Sequence, residues 1–260
     1  MEPHELPQMY ALEEGYWWYR ALRRRIVGAL DRFGAVTDRP RCLDAGCGTG
    51  MLLATLRDRV RALGLDNSEP ALALARRRGA TALLRGSVEA LPLRDASQAI
   101  IISADVLYHR GVHDDLAALR EMARCLKPGG LLILNLPAFA VLRSVHDDAV
   151  HGARRYTAGE VRAKLRAAGF VPLRVRYWNW ILFAPIAIAR LLRRRPRPYW
   201  ERPAPAGAAR DGQGPHSDLV ALPRWLNALL GGVLRLEERL DFFDPPAGLS
   251  VMAIARREGP

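Results

Sequence analysis

The chain has 260 residues, of which 50% are hydrophobic and 25% charged, enough to bury one α/β core with additions and too apolar for a disordered polymer. Its net charge of +12 admits a polyanionic partner, either nucleic acid or an anionic membrane surface. Interleaved basic and aromatic motifs are lacking, which argues against nucleic acid, and arginine bias with only Lys127 and Lys164 as lysines offers a purely compositional alternative.

Residues 1–39 open with a polar, acidic stretch that lacks the apolar run of a signal peptide. Cys42, Cys47 and Cys125 have no metal-ligand spacing, so reduced thiols in a cytoplasmic protein are expected and no metal site. Glu13 to Arg20 is strongly aromatic and precedes a helical pattern from Arg23 to Leu30. It reads either as a helical lid over a site, with Trp18 and Tyr19 toward an acceptor, or as aromatics that dock the helix on the core.

From residue 41 strands and helices alternate. Strands are predicted at Arg41–Ala45, Ala62–Asp66, Ala82–Arg85, Ala99–Ala104 and Leu131–Leu136, with helices near 51–60, 69–78 and 113–126 between them. Apolar strands alternating with helices imply a mostly parallel, doubly wound sheet covered on both faces. Thr157 is a candidate N-cap for a helix over 157–169, and Phe170–Trp178 is a further strand. Residues 179–247 break the pattern as an insertion: an apolar run from Trp180 to Leu192 with trailing arginines, a Pro/Gly/Ala-rich stretch over 196–217, and an amphipathic pattern over 219–240. A last strand at Leu249–Ala255 completes seven, the final two antiparallel. The units expected are thus a lid over 1–39, a core over 40–178, the insertion 179–247, and a final strand and tail over 248–260.

The first strand runs into Asp44-Ala45-Gly46-Cys47-Gly48-Thr49-Gly50, and the second ends on Asp66, about 20 residues after the first glycine. A glycine-rich turn between strand and helix lets backbone N–H groups approach a nucleotide-like ligand, and an acid at that distance meets ribose hydroxyls. The glycines are not in dinucleotide register. D-x-G-x-G-x-G followed by an acid closing strand two, with Gly86-Ser87-Val88, Ser103 to His109 and Lys127-Pro128-Gly129-Gly130 in order behind it, resembles the class I S-adenosylmethionine-dependent methyltransferases. The Trp-Trp segment and the region from Pro137 to Thr157 are similar to a bacterial subgroup associated with lipid or surface-glycan pathways.

That resemblance implies S-adenosylmethionine as cofactor on a Rossmann-like fold. Gly46, Cys47, Gly48 and Gly50 would pass its amino acid and ribose, Asp44 would lie beneath its ammonium, and Asp66 would hold the ribose with Asn67 beside the adenine. Ser87 and the Val88 backbone would meet the adenine amino group, and Ala104 and Tyr108 would flank the methyl. Oxygen acceptors benefit from a base. His109 and His146, the latter oriented by Asp147, are the candidates; a helix-capping His109 and a surface His146 are the alternatives. Arg154, Arg155 and Tyr156 would hold a phosphate or carboxylate on the acceptor, or else make a salt-bridged turn.

The expected reaction is O-methylation of an apolar or lipid-linked small molecule, with a soluble natural-product or quinone tailoring enzyme (O, N or C acceptor) and a non-catalytic cofactor-binding protein as alternatives. Trp180–Leu192 is too short to span a bilayer but suits an interfacial segment, so the cytoplasmic placement extends to contact with the inner membrane face. A lid helix packed on its own domain is the other reading of that run.

Overall fold

A computed structural model describes residues 5–34, 38–144, 147, 150–192 and 219–259. Its elements in chain order are α1 (Glu5–Leu12), α2 (Trp17–Phe33), β1 (Arg41–Ala45), α3 (Met51–Leu56), β2 (Arg61–Asp66), α4 (Glu69–Arg77), β3 (Leu83–Arg85), β4 (Gln98–Ala104), α5 (Asp115–Cys125), β5 (Leu126–Pro137), a 3-10 turn at Ala140–Leu142, α6 (Ala158–Ala167), β6 (Phe170–Trp178), α7 (Phe183–Leu192), α8 (Arg224–Arg239) and β7 (Ser250–Arg257).

The strands form one seven-stranded sheet in the order β3-β2-β1-β4-β5-β7-β6. The first five are parallel, and β7 runs antiparallel to both neighbours. This is the doubly wound arrangement expected, with the order reversing between β1 and β4. Side chains alternate between two buried faces, as a sheet covered on both sides requires. Leu43, Ile101, Leu132 and Leu134 pack with Leu119 and Met122 of α5 and Val161 and Leu165 of α6. Cys42, Ile100, Ile102 and Ile133 face the other way, against Leu22 and Ile26 of α2 and Leu234 of α8. Helix α2 is therefore a layer of the core, while α1 and the N-terminal half of α2 also border the strand ends.

Local chemistry fixes the helix starts. Thr157 and Glu160 make a reciprocal capping box for α6. Asp114 accepts from the N–H groups of Leu116 and Ala117 at 2.9 and 3.0 Å to start α5. The lysine-proline-glycine turn enters the sheet earlier than expected. Gln98 pairs with Leu126 and Ile100 with Leu131, so Lys127 to Gly130 form an outward bulge within β5, with Gly129 at a φ of +71°.

The insertion leaves the sheet at Asn179 and returns at Leu249, whose N–H donates to the Asn179 carbonyl at 3.4 Å. Its last helix is fastened to α2. Asn227 accepts from the Trp17 N–H at 2.9 Å, and Arg24 makes a bidentate pair with Glu238 at 2.9 and 3.0 Å. Glu237, only 2% exposed, pairs with Arg25 at 2.7 Å and accepts from the N–H groups of Asn179 and Trp180 at 2.6 and 2.7 Å. The apolar run after Trp180 becomes α7, whose Phe183 lies 5.7 Å from Phe139 beyond β5.

Candidate active site

One cavity of about 1580 Å³ opens over the C-terminal ends of β1, β2 and β4, where the strand order reverses. It is larger than a single small-ligand pocket, with most of its carboxylates at one end and three arginines at the other, one of them paired with Asp147.

The first end is built by the β1–α3 turn. Gly46 has a φ of +94°, and a Cβ there would fall 2.2 Å from a Val106 methyl carbon. Gly48 has a φ of +51° and donates its N–H to Asp66 Oδ2 at 2.8 Å, while the other oxygen of Asp66 accepts from the Ser68 N–H at 2.9 Å. Asp66 thus closes the glycine turn as well as facing the cavity. Asn67, Ser87, Val88 and Ala104 line the same end, as does Cys47. Gly50 does not. It is the N-cap of α3 with a φ of +80°, and a Cβ there would sit 2.8 Å from the Ala75 Cβ. Its expected place beside the ligand is corrected to close packing of α3 on α4.

Four carboxylates gather here. Asp44 is 3% exposed and, among the described residues, accepts no hydrogen bond from any donor. Burial, then the neighbouring Asp66 and Glu13, push it up to about 8. Glu13, from the turn after α1, binds the Thr49 hydroxyl and Arg78; burial outweighs the arginine and raises it to about 7. Asp105 follows β4 with a φ of +56° and accepts from Asn135 Nδ2 at 2.9 Å, and burial raises it to about 7. Glu13 and Met9 bring α1 over the glycine turn. A sequence reading passes over Glu13, since only the fold brings it to Thr49.

A buried chain reaches Asp105 from behind. Trp178 Nε1 donates to Asn135 Oδ1 at 2.7 Å, and Asn135 donates to Asp105. Trp18 stacks on the Trp178 ring at 5.9 Å, and the Arg25 guanidinium lies 4.9 Å from its centroid. Trp18 and Tyr19 line the cavity as expected, and Trp18 also docks α2 on this chain.

The second end holds Arg143, Arg155 and Arg190, with Ser144 and His151 beside them. Arg155 pairs with Asp147 through both carboxylate oxygens at 2.8 and 3.0 Å. The Asp147 carboxylate therefore positions Arg155, a role the sequence did not suggest. His146 lies outside the described residues. Arg154 and Tyr156 are corrected too. Arg154 donates to the carbonyls of Val112 and His113, Tyr156 donates to Asp115 at 2.8 Å, and neither lines the cavity. His109 and Tyr108 do line it, their rings 4.4 Å apart, and burial lowers His109 to about 4. Apolar walls come from α7 and the insertion, among them Ile186, Leu222 and Leu230.

A glycine turn backed by unneutralised carboxylates at a strand-order reversal suits a cationic nucleoside. Residues 43–134 match the family model described as a methyltransferase domain. A malonyl-[acyl-carrier protein] O-methyltransferase from Serratia marcescens is 34% identical over 57% of this chain and 59% of its own. A probable S-adenosylmethionine-dependent methyltransferase from Mycolicibacterium smegmatis is 31% identical over 61% of this chain and 60% of its own. The chain thus spans about three fifths of the length of these curated relatives. The crystal structure of an S-adenosylmethionine-dependent methyltransferase from Thermotoga maritima aligns over 98% of this chain and 96% of that one, with a TM-score of 0.56 and 18% identity.

Residues 43–134 thus form a methyltransferase domain, and the similarity to S-adenosylmethionine-dependent methyltransferases points to S-adenosylmethionine as the cofactor. The residues fit that molecule. Asp44 and the surrounding acids would face its ammonium and sulfonium, Asp66 its ribose, and the glycine turn would leave room for its tail.

These carboxylates set a pH dependence. Asp44, Asp105 and Glu13 bind protons more tightly folded than unfolded. Stability fully present in acid below their unfolded values is therefore lost as pH rises through about 7 to 8. His109, lowered to about 4, acts oppositely, but only below its unfolded value near 6.5. From pH 6.5 to 9 the Tm of the ligand-free protein should fall. A bound cation lowers the carboxyl pKa values, so cofactor affinity should rise with pH up to about 8, by at most about tenfold per unit for each proton released. Thermal melts and calorimetry in buffers of different ionisation enthalpy check this. A flat Tm with no proton release would refute it, and Asp44→Asn should weaken both effects.

Proposed function

We propose that the protein methylates an oxygen of an apolar or lipid-linked small molecule that carries an anionic group. The single observation behind this reading is the charge division of the cavity, with carboxylates at the cofactor end and arginines at the other. The apolar walls between them suit the body of such an acceptor. The relative named as an O-methyltransferase supports oxygen as the acceptor atom.

Bound S-adenosylmethionine supplies an electrophilic methyl carbon on a sulfonium. Asp44 would neutralise the ammonium, Asp66 would accept from the ribose hydroxyls, and Asn67, Ser87 and the Val88 backbone would border the adenine. Arg143 and Arg190 would hold the anionic group, with Arg155 fixed beside them by Asp147, setting the acceptor's reach and orientation. Asp105 would take the acceptor hydroxyl's proton as oxygen bonds to the methyl carbon and the carbon–sulfur bond breaks. Its raised value of about 7 suits a base near neutrality. His109, packed against the Tyr108 ring, would shape the wall.

Methyl-labelled S-adenosylmethionine incubated with the protein and fractionated cell extract tests this. Label should enter an acidic, organic-soluble fraction, and Asp105→Asn should lower turnover about 100-fold while cofactor affinity is kept. Label appearing only in neutral, water-soluble products would reject the acceptor class. Tight cofactor binding with no labelled product in any fraction would favour a non-catalytic binding protein.

A further inference from the structure

Helix α8 has two apolar faces. Its inner face carries Leu230 at the cavity and Leu234 in the core. Its outer face carries Trp225, Leu229, Gly232 and Leu236, a spacing of four, three and four residues that keeps them on one line along a helix. Trp225 is 68% exposed, Leu229 56% and Leu236 53%. Just past the helix, Phe242 is 86% exposed. Single exposed apolar residues are ordinary, but an ordered row of large ones marks a contact surface.

The charges on α8 are placed with equal bias. Its acids point inward, Glu237 to Arg25 and Glu238 to Arg24. Arg224, Arg235 and Arg239 are exposed along a row beside the apolar line. Neutralised acids inside and free-facing arginines outside leave the outer face apolar and cationic. A net charge of +12 adds to it.

We infer that the outer face of α8, with Phe242, docks on an anionic lipid bilayer. Trp, Phe and Leu flanked by arginines are the chemistry of a helix lying in a membrane interface, with side chains among the acyl boundary and guanidinium groups at phosphates. A second copy of the chain fits less well, because pairing two such faces brings two arginine rows together. The surface also meets the cavity. Val220, 58% exposed, lies just before α8 and lines the cavity rim. A lipid-linked acceptor would then pass from bilayer to site without crossing water. The inference rests on the acceptor class proposed above, and it names where that acceptor enters.

The test is flotation of the full-length protein with vesicles of phosphatidylcholine and phosphatidylglycerol in equal parts, against phosphatidylcholine alone. Binding should require the anionic lipid and weaken at raised salt. The double substitution Trp225→Ser and Leu229→Ser should weaken it about tenfold or more. Arg235→Glu with Arg239→Glu should do the same. Calorimetric titration of S-adenosylmethionine should be unchanged in both variants, which shows that they fold. No flotation with the anionic vesicles, or equal flotation of wild type and variants, would overturn the inference. So would a concentration-dependent dimer that the serine variant abolishes while flotation persists. Because cofactor titration and label transfer to extract are read separately, loss of the docking surface and loss of the methyltransferase reading give different results.

Discussion

Asp66→Ala is expected to abolish detectable S-adenosylmethionine binding by calorimetry while the protein remains folded. The carboxylate has two tasks, and the substitution removes both. It holds the N–H groups of Gly48 and Ser68 at 2.8 and 2.9 Å, which closes the glycine turn onto β2. It also faces the cavity where ribose hydroxyls would donate. Hydrogen bonds to a charged group contribute about 1.5–3 kcal/mol each. Losing two from the ligand and relaxing the turn should therefore weaken affinity by about 100-fold or more. Asp66→Asn keeps one acceptor oxygen and should fall between. Binding retained within a few fold in the alanine variant would mean that the ribose is held elsewhere.

Glu237→Ala should produce a large loss of stability. The carboxylate joins α2 through Arg25, the end of β6 through the N–H groups of Asn179 and Trp180, and α8 through its own backbone. Its removal leaves a buried guanidinium, whose Nε already has no partner, and three unanswered backbone donors, those of Asn179, Trp180 and Ile181. Breaking a buried pair from one side costs about 3–5 kcal/mol. At roughly 2–4 °C per kcal/mol for a protein of this size, Tm should drop by about 10 °C. Glu237→Gln retains an acceptor and should lose less. Circular dichroism melts decide the matter, and a drop below about 2 °C would show that α2 and α8 are held by their apolar contacts alone.

The parts of the fold set by local pattern were legible. Alternation of apolar strand and helix gives the parallel sheet, and β1 and β6 begin and end at the residues expected. The glycine turn and Asp66 announced the cofactor end because both tasks are met by one short stretch. The acceptor end was less legible for a simple geometric reason. Arg154, Arg155 and Tyr156 lie in an extended segment, where successive side chains point to opposite sides. Arg155 therefore reaches the cavity while its two neighbours turn to α5. A residue count cannot supply the phase of that alternation. Glu13, Asn135 and Trp178 were hidden for another reason: their partners are 36 to 65, 30 and 43 residues away, and only the finished sheet brings them together.

The insertion departs and returns at one point, where Leu249 donates to Asn179. The sheet therefore closes the same way whatever lies between those residues. Part of the cavity's apolar wall, including Ile186, Leu222 and Leu230, comes from this excursion, whereas Asp44, Asp66 and the glycine turn stand at the strand ends. Descent can then rewrite what the protein accepts without disturbing what it donates. A designer has the same freedom, provided an excursion grafted between 179 and 249 keeps Asn227, Leu234, Glu237 and Glu238, the groups that fasten it to α2.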